Sequence, residues 1–167
     1  MAESTKEIRA LVADPSSHMA GLVTLMLHSL KVRAVDEASD LQHLTAILAR
    51  RPYDLMLIDD HLGGENDFQV IRTLRQSVDH PNRLIPIIMM AAGPDARLIA
   101  MARDAGVTEF LRKPFSAQHI GLRLDSIRNA PREFVEAETF AGPDRRRREL
   151  SATPHRRASD TTGKKSA

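Results

Sequence analysis

Two groups of residues have the types and spacing for chemistry. Asp14 and Asp59 each close a short apolar run, "ALVA" before Asp14 and "LMLI" before Asp59, and Lys113 follows the short run "EFL" within "RKPF". If these runs are parallel strands of one open sheet, their carboxyl ends fall where such sheets collect their chemistry. One polar cap at a strand end is ordinary. Three together, with Lys113 followed by Pro114 and Phe115, are hard to obtain by chance. The second group is "GPDRRRRELSATPHRRASD", Gly142 to Asp160, with six arginines in nineteen residues. It holds no large aromatic side chain, and a packed core has no use for it. Arginine pairs bidentately with phosphate, stacks on planar groups and reads guanine through O6 and N7. An aspartate accepts from the guanine N1 and N2 amides. Asp144 and Asp160 beside the arginines therefore suit a ligand that combines guanine with phosphate.

The elements that must position these groups follow from the apolar pattern. Ala10–Ala13 reads as a strand, and "DPSS" as a turn and helix start. Met19, Leu22, Val23, Met26, Leu27 and Leu30 recur at helical spacing. Val32–Val35 reads as a second strand, and "SDLQHLTAILARR" as a helix capped by Ser39. Asp54–Asp59 is almost wholly apolar until its carboxylates, as in a strand buried on both faces. Phe68, Val70, Ile71 and Leu74 mark a third helix, and "IPIIMMAA" a fourth strand. Leu98, Ile99 and Ala102 mark a fourth helix closed by Gly106. "EFL" is a fifth strand. Ile120, Leu122, Leu124 and Ile127 belong to a fifth helix that ends at Pro131. Five alternations predict an α/β fold: a five-stranded parallel sheet with helices on both faces.

Charge divides the chain. Residues 1–130 carry 15 basic against 16 acidic side chains, 131–143 carry 1 against 3, and 144–167 carry 8 against 3. The net charge of +2 thus comes from the last segment, an arm suited to an anion. The expected organisation is a globular domain over 1–130, a short linker or docked arm over 131–143, and an arginine-rich, largely disordered ligand-binding tail over 144–167. With no cysteine, thiolate catalysis, disulfides and cysteine zinc sites are excluded, and a reducing cytoplasm fits. The longest apolar run, Leu84–Ala92, is nine residues with Pro86 inside it, too short to span a bilayer.

"LVADPSS", "YDLMLIDDHLGG", "IPIIMMAA" and "AGVTEFLRKPF" resemble the receiver domain of bacterial response regulators, the flavodoxin/CheY-like (βα)5 fold, over residues 8–129. The resemblance implies a two-component system in which Asp59 accepts a phosphoryl group from a histidine kinase. It implies Mg2+ held by Asp14, Asp59 and the backbone carbonyl of His61, with Asp14 and Lys113 supporting the site. The chain departs from that pattern. The second member of the acidic pair is Pro15, which offers no ligand. The hydroxyl residue after the fourth strand is Ala91. The aromatic on the fifth strand is Phe110, and the loop reads Gly63-Gly64 with Asp67 at a usual glycine. On an extended strand Asp60 should point away from Asp59, so it is not expected to replace the lost ligand. Weak or absent metal binding and weak phosphorylation-driven switching are expected, with Asp59 a vestigial phospho-acceptor.

"RASD", Arg157–Asp160, is an RxxD arrangement of the kind several families use for cyclic di-GMP. As a whole, the single domain followed by "GPDRRRR" and "RRASD" resembles the Cle-type CheY-like effectors of flagellated bacteria. That resemblance implies cyclic di-GMP binding by Asp144, Arg145, Arg146, Arg147, Arg148, Arg156, Arg157 and Asp160. It also implies a role in motility, chemotaxis and surface attachment through a protein partner such as the flagellar motor switch. The expected function is a cytoplasmic, non-enzymatic second-messenger effector. The alternative is a single-domain response regulator phosphorylated at Asp59. Nucleic acid is not the expected ligand, because the tail lacks helix signals and stacking aromatics and the body is slightly acidic. Stable membrane anchoring is not expected either, since no amphipathic face or lipidation signal is present.

Overall fold

A computed structural model describes residues 7–63, 66–137 and 139–145. Five parallel strands form one sheet in the order β2-β1-β3-β4-β5, built from β1 Arg9–Ala13, β2 Ala34–Ala38, β3 Leu55–Asp59, β4 Ile87–Ala91 and β5 Glu109–Arg112. Helices α1 Ser17–Ser29, α2 Leu41–Arg50, α3 Asn66–Gln76, α4 Ala96–Ala105 and α5 Ala117–Asn129 alternate with them. β3 and β4 are buried at every position, because helices cover both faces of the central strands. Residues alternate between two cores. Met56, Ile58, Ile87 and Met89 face α2, α3 and α4, while Leu55, Leu57, Ile88 and Met90 face α1 and α5. This is the expected α/β architecture.

Two local expectations are corrected. The second strand begins at Ala34, not Val32. Lys31 takes a left-handed turn at φ 67°, and Val32 fills the core from the loop, its N–H bonded to Leu27 O. The cap of α2 is Asp40 rather than Ser39. Asp40 Oδ1 accepts the His43 N–H at 2.7 Å, and Ser39 Oγ donates to Asp40. Gly106 does close α4, at φ 104°.

Beyond α5 the chain forms an antiparallel hairpin, β6 Phe134–Ala137 and β7 Phe140–Pro143. It lies against the C-terminal ends of α3 and α4. A Cβ on Gly142 would sit 2.9 Å from Gly106 Cα, so backbone meets backbone there. Arg83 lies over the Phe134 ring at 5.0 Å and pairs with Glu136. The expected tail from Arg146 onward lies outside the described residues.

Candidate functional site

Sheet topology brings the three strand ends together. Asp14 follows β1, Asp59 ends β3, and Lys113 follows β5, so β1 and β3 are neighbours while β4 lies between β3 and β5. Lys113 reaches back across that gap. Its Nζ pairs closely with Asp59 Oδ2 and lies 3.4 Å from Asp14 Oδ2. Backbone bonds hold the ends in place: Asp14 N–H to Ala38 O at 3.0 Å, and Lys113 N–H to Ala91 O at 2.8 Å. Both carboxylates are buried, at 2% and 4% exposure, so the single ammonium is their main compensation. Burial alone would lower the Lys113 pKa, but Asp59 and Asp14 outweigh it and hold the ammonium above its ordinary value.

Asp59 Oδ1 accepts the His61 N–H at 2.9 Å, while Asp14 Oδ1 accepts the Ser16 N–H at 2.8 Å. A carboxylate oriented by a lysine on one oxygen and a backbone amide on the other is an oxygen nucleophile. The lysine can neutralise charge on an incoming anionic group. Pro15 is exposed beside Asp14 and offers no side-chain ligand, and Ala91, fully buried at the end of β4, offers no hydroxyl.

Asp60 corrects the sequence reading. It sits in a turn rather than on the strand, so alternation does not apply to it. Asp60 Oδ1 is 2.7 Å from His61 Nδ1, and Asp59, Asp60 and His61 each present one ligand atom within 4.8 Å of one another. The clustered donors thus include the carboxylates of Asp59 and Asp60, which suit an oxygen-seeking divalent cation such as Mg2+. The imidazole of His61 is a poorer match to that ion. Such an ion would supply charge neutralisation to a transferring phosphoryl group.

A residue of greater weight than the sequence suggested is Asp67, in the first turn of α3. It is wholly buried; Oδ1 accepts the Gly63 N–H at 2.8 Å, and Oδ2 has no partner among the described residues. Burial raises its pKa to about 6, the Gly63 amide opposes this, and the charges of Asp59 and Asp60 add to it. The only signal for this was an aspartate at a glycine position. The folded chain holds this proton more tightly than the unfolded chain. Stability from this group is therefore full below the ordinary carboxyl value of 3.8 and is lost as pH rises through about 6. Asp67→Asn should accordingly gain on the parent by roughly 2 kcal/mol between pH 4 and pH 8. Urea melts at the two values measure it; an equal difference at both would refute a buried, protonated Asp67.

Of the proposed ligand residues, Asp144 and Arg145 are described. The Asp144 N–H donates to Glu133 O at 2.7 Å, tying the hairpin closed. Arg145 lies over the Phe140 ring at 4.0 Å and 3.5 Å from Asp104. Both are remote in the fold from the Asp59 cluster, since they follow a hairpin seated on the C-terminal ends of α3 and α4. Arg146, Arg147, Arg148, Arg156, Arg157 and Asp160 lie outside the described residues, as does Gly64.

The family model for the response regulator receiver domain matches residues 10–125, spanning all five strands and the three converging charged groups. The chain belongs to that family. The chain is 29% identical over 137 residues to the DNA-binding response regulator MtrA of Mycobacterium leprae, covering 81% of this chain and 58% of that protein. It is 26% identical over 122 residues to the chemotaxis protein CheY-3 of Vibrio cholerae, covering 73% and 92%. The chain therefore spans little more than half the length of MtrA but nearly all of CheY-3. Among solved structures, CheY4 of Vibrio cholerae superposes with a TM-score of 0.65 at 19% identity, covering 73% of this chain and 99% of that one. A Thermotoga maritima response regulator gives 0.64 at 24% identity, covering 74% and 98%. These likenesses show the fold. Among the described residues, no helix is long and apolar enough to cross a membrane.

Proposed function

We propose that this receiver domain is the scaffold of a non-enzymatic cyclic di-GMP effector, with input entering through the arginine-rich segment rather than through Asp59. The observation that carries the reading is the contrast between its two anion-directed sites. The phospho-acceptor cluster keeps Asp14, Asp59 and Lys113 but has proline and alanine where a ligand and a hydroxyl would act. The arginine run, by contrast, begins at a fixed point, because Arg145 is held over Phe140 at the end of a docked hairpin. Cyclic di-GMP offers two guanines and two phosphates to guanidinium groups that pair and stack. Residues Asp144, Arg145–Arg148, Arg156, Arg157 and Asp160 take it, the segment orders, and the ordered form gains affinity for a protein partner such as the flagellar motor switch. Ordering costs part of the contact energy, so several arginines are needed for useful affinity.

The second reading is phosphorylation at Asp59 by a histidine kinase. It is favoured by the close pairing of Asp59 with Lys113 and by the Asp60–His61 donors beside it. One calorimetric series separates the two. Cyclic di-GMP should bind the intact chain and Asp59→Asn alike, and should not bind a chain ending at Pro143. Equal heats in the intact and shortened chains, or none in either, would sink the messenger reading.

A further inference from the structure

The β6–β7 hairpin keeps one edge open. The Asp144 N–H donates to Glu133 O at 2.7 Å, which makes Glu133 and Asp144 a bonded pair of the ladder. Bonded and non-bonded pairs alternate along an antiparallel ladder. Val135–Gly142 and Ala137–Phe140 are therefore the next bonded pairs. Phe134–Pro143 and Glu136–Ala141 are the non-bonded ones, which suits Pro143, a residue without an N–H. Phe134 and Glu136 thus point their N–H and C=O groups away from β7. Among the described residues, no second strand pairs with β6.

The other edge is taken by the body. A Cβ on Gly106 would lie 3.3 Å from Ala141 O, so β7 faces the end of α4. On one face of the hairpin Phe134 and Glu136 meet Arg83; on the other, Phe140 lies under Arg145, which pairs with Asp104. The hairpin thus stands with β7 inward and β6 outward, and Val135, Glu136 and Ala137 are exposed. Proteins guard an open edge with lysine, proline, a bulge or an unpaired charge. β6, "FVEA", holds none of these, because its one charged residue, Glu136, is neutralised by Arg83. Its shortness is its guard, and that limits the strength of strand addition without barring it.

The edge is complementary to itself. Its two outward residues flank Val135 symmetrically, so a second β6 running antiparallel about a two-fold at Val135 sets Phe134 against Glu136 in both directions. Each of those two pairs exchanges both of its N–H···O bonds. Val135 then meets Val135 of the second copy at a non-bonded site, where side chains come closest and β-branched pairs are favourable. Charge agrees, since each Glu136 arrives opposite a Phe134 whose ring lies under Arg83 of that copy. We propose that β6 is the contact strand of a homodimer in which two hairpins form one four-stranded sheet, β7-β6-β6-β7. Each hairpin has a single open edge, so the pairing closes at two copies instead of growing into a fibre. Four-residue strands bury far less than the roughly 800 Å² a side of a stable interface, so the dimer is a transient one. It stands independently of the messenger reading.

Sedimentation equilibrium of the full chain without nucleotide, up to about 1 mM, should show reversible, concentration-dependent dimers. Glu136→Pro removes an outward N–H and leaves the β6–β7 bonds in place. It should weaken dimerisation about ten-fold or more relative to Glu136→Ala, which loses the same pairing with Arg83. The chain has no cysteine, so a single introduced thiol reports the register. Val135→Cys should form a disulfide-linked dimer about ten-fold faster than Ala137→Cys, because the two-fold brings residue 135, and not residue 137, against its own copy. A chain that stays monomeric over the whole range would overturn the proposal. So would equal dimerisation of Glu136→Pro and Glu136→Ala, or equal cross-linking of the two cysteine variants. If Glu136→Pro fails to fold, the parent's sedimentation and the cysteine pair decide.

Discussion

Replacing Gly106 with valine is expected to cost about 3 kcal/mol of stability and to release the β6–β7 hairpin from the body. Gly106 closes α4 at φ 104°, a conformation that a β-branched side chain adopts only under strain. A Cβ there would also meet Arg75 Cγ at 2.8 Å, Arg75 Nε at 3.1 Å and Ala141 O at 3.3 Å. None of these neighbours can yield cheaply. Arg75 is 1% exposed, and its Nε and Nη2 both donate to Gly106 O, at 3.1 and 2.9 Å, while Nη1 donates to Arg83 O. Ala141 belongs to β7, so the clash pushes the hairpin outward. Gly142→Val is the companion experiment. No positive φ adds strain there, but its Cβ would sit 2.9 Å from Gly106 Cα in the body and 3.0 Å from the Phe140 ring, so it too should push the hairpin outward, at a smaller total cost. Urea melts give the stability. Hydrogen exchange at the paired amides of β6 and β7 gives the release. An unchanged melt for Gly106→Val, or a hairpin still protected, would refute this account of the docking.

The central strands and the strand ends at Asp14 and Asp59 were legible for one physical reason. A parallel strand covered on both faces must be apolar along its whole length, so its first charged residue marks its end. The same rule failed where burial did not coincide with the strand. Val32 is buried from a loop, so the apolar pattern started β2 two residues early. Asp60 was misread because alternation holds only on extended backbone, and the chain turns at that residue. Arg75 was invisible. A charged residue on an amphipathic helix reads as solvated, whereas this one is enclosed and bonded to two backbone carbonyls, with its pKa lowered by burial to about 10.

On the proposed reading Pro15 and Ala91 weaken the phosphoryl switch, and two substitutions should repair it. Pro15→Asp combined with Ala91→Ser is expected to raise Asp59 labelling by a small-molecule phosphoryl donor ten-fold or more in Mg2+. The parent cluster lacks the second carboxylate after β1, and Asp14 Oδ1 already accepts the Ser16 N–H. Position 15 is exposed and directly precedes Ser16, the N-cap of α1, where the helix dipole favours a carboxylate. Losing proline there costs a little through the unfolded chain, on the order of 0.5–1 kcal/mol. The added charge also raises repulsion with Asp14 and Asp59, which Lys113 offsets in part. A divalent cation removes that repulsion, so the variant should be less stable than the parent without Mg2+ and should gain more from adding it. Ala91→Ser places a hydroxyl in a fully buried position at the end of β4, with a cost of about 1 kcal/mol until a phosphoryl oxygen accepts from it. The two changes therefore act on different states, the first on the metal-bound ground state and the second on the phosphorylated one. Thermal melts with and without Mg2+ read the first, and labelling time courses read both. A variant whose melt ignores Mg2+ and whose labelling matches the parent would show that Pro15 and Ala91 are not what limits the site.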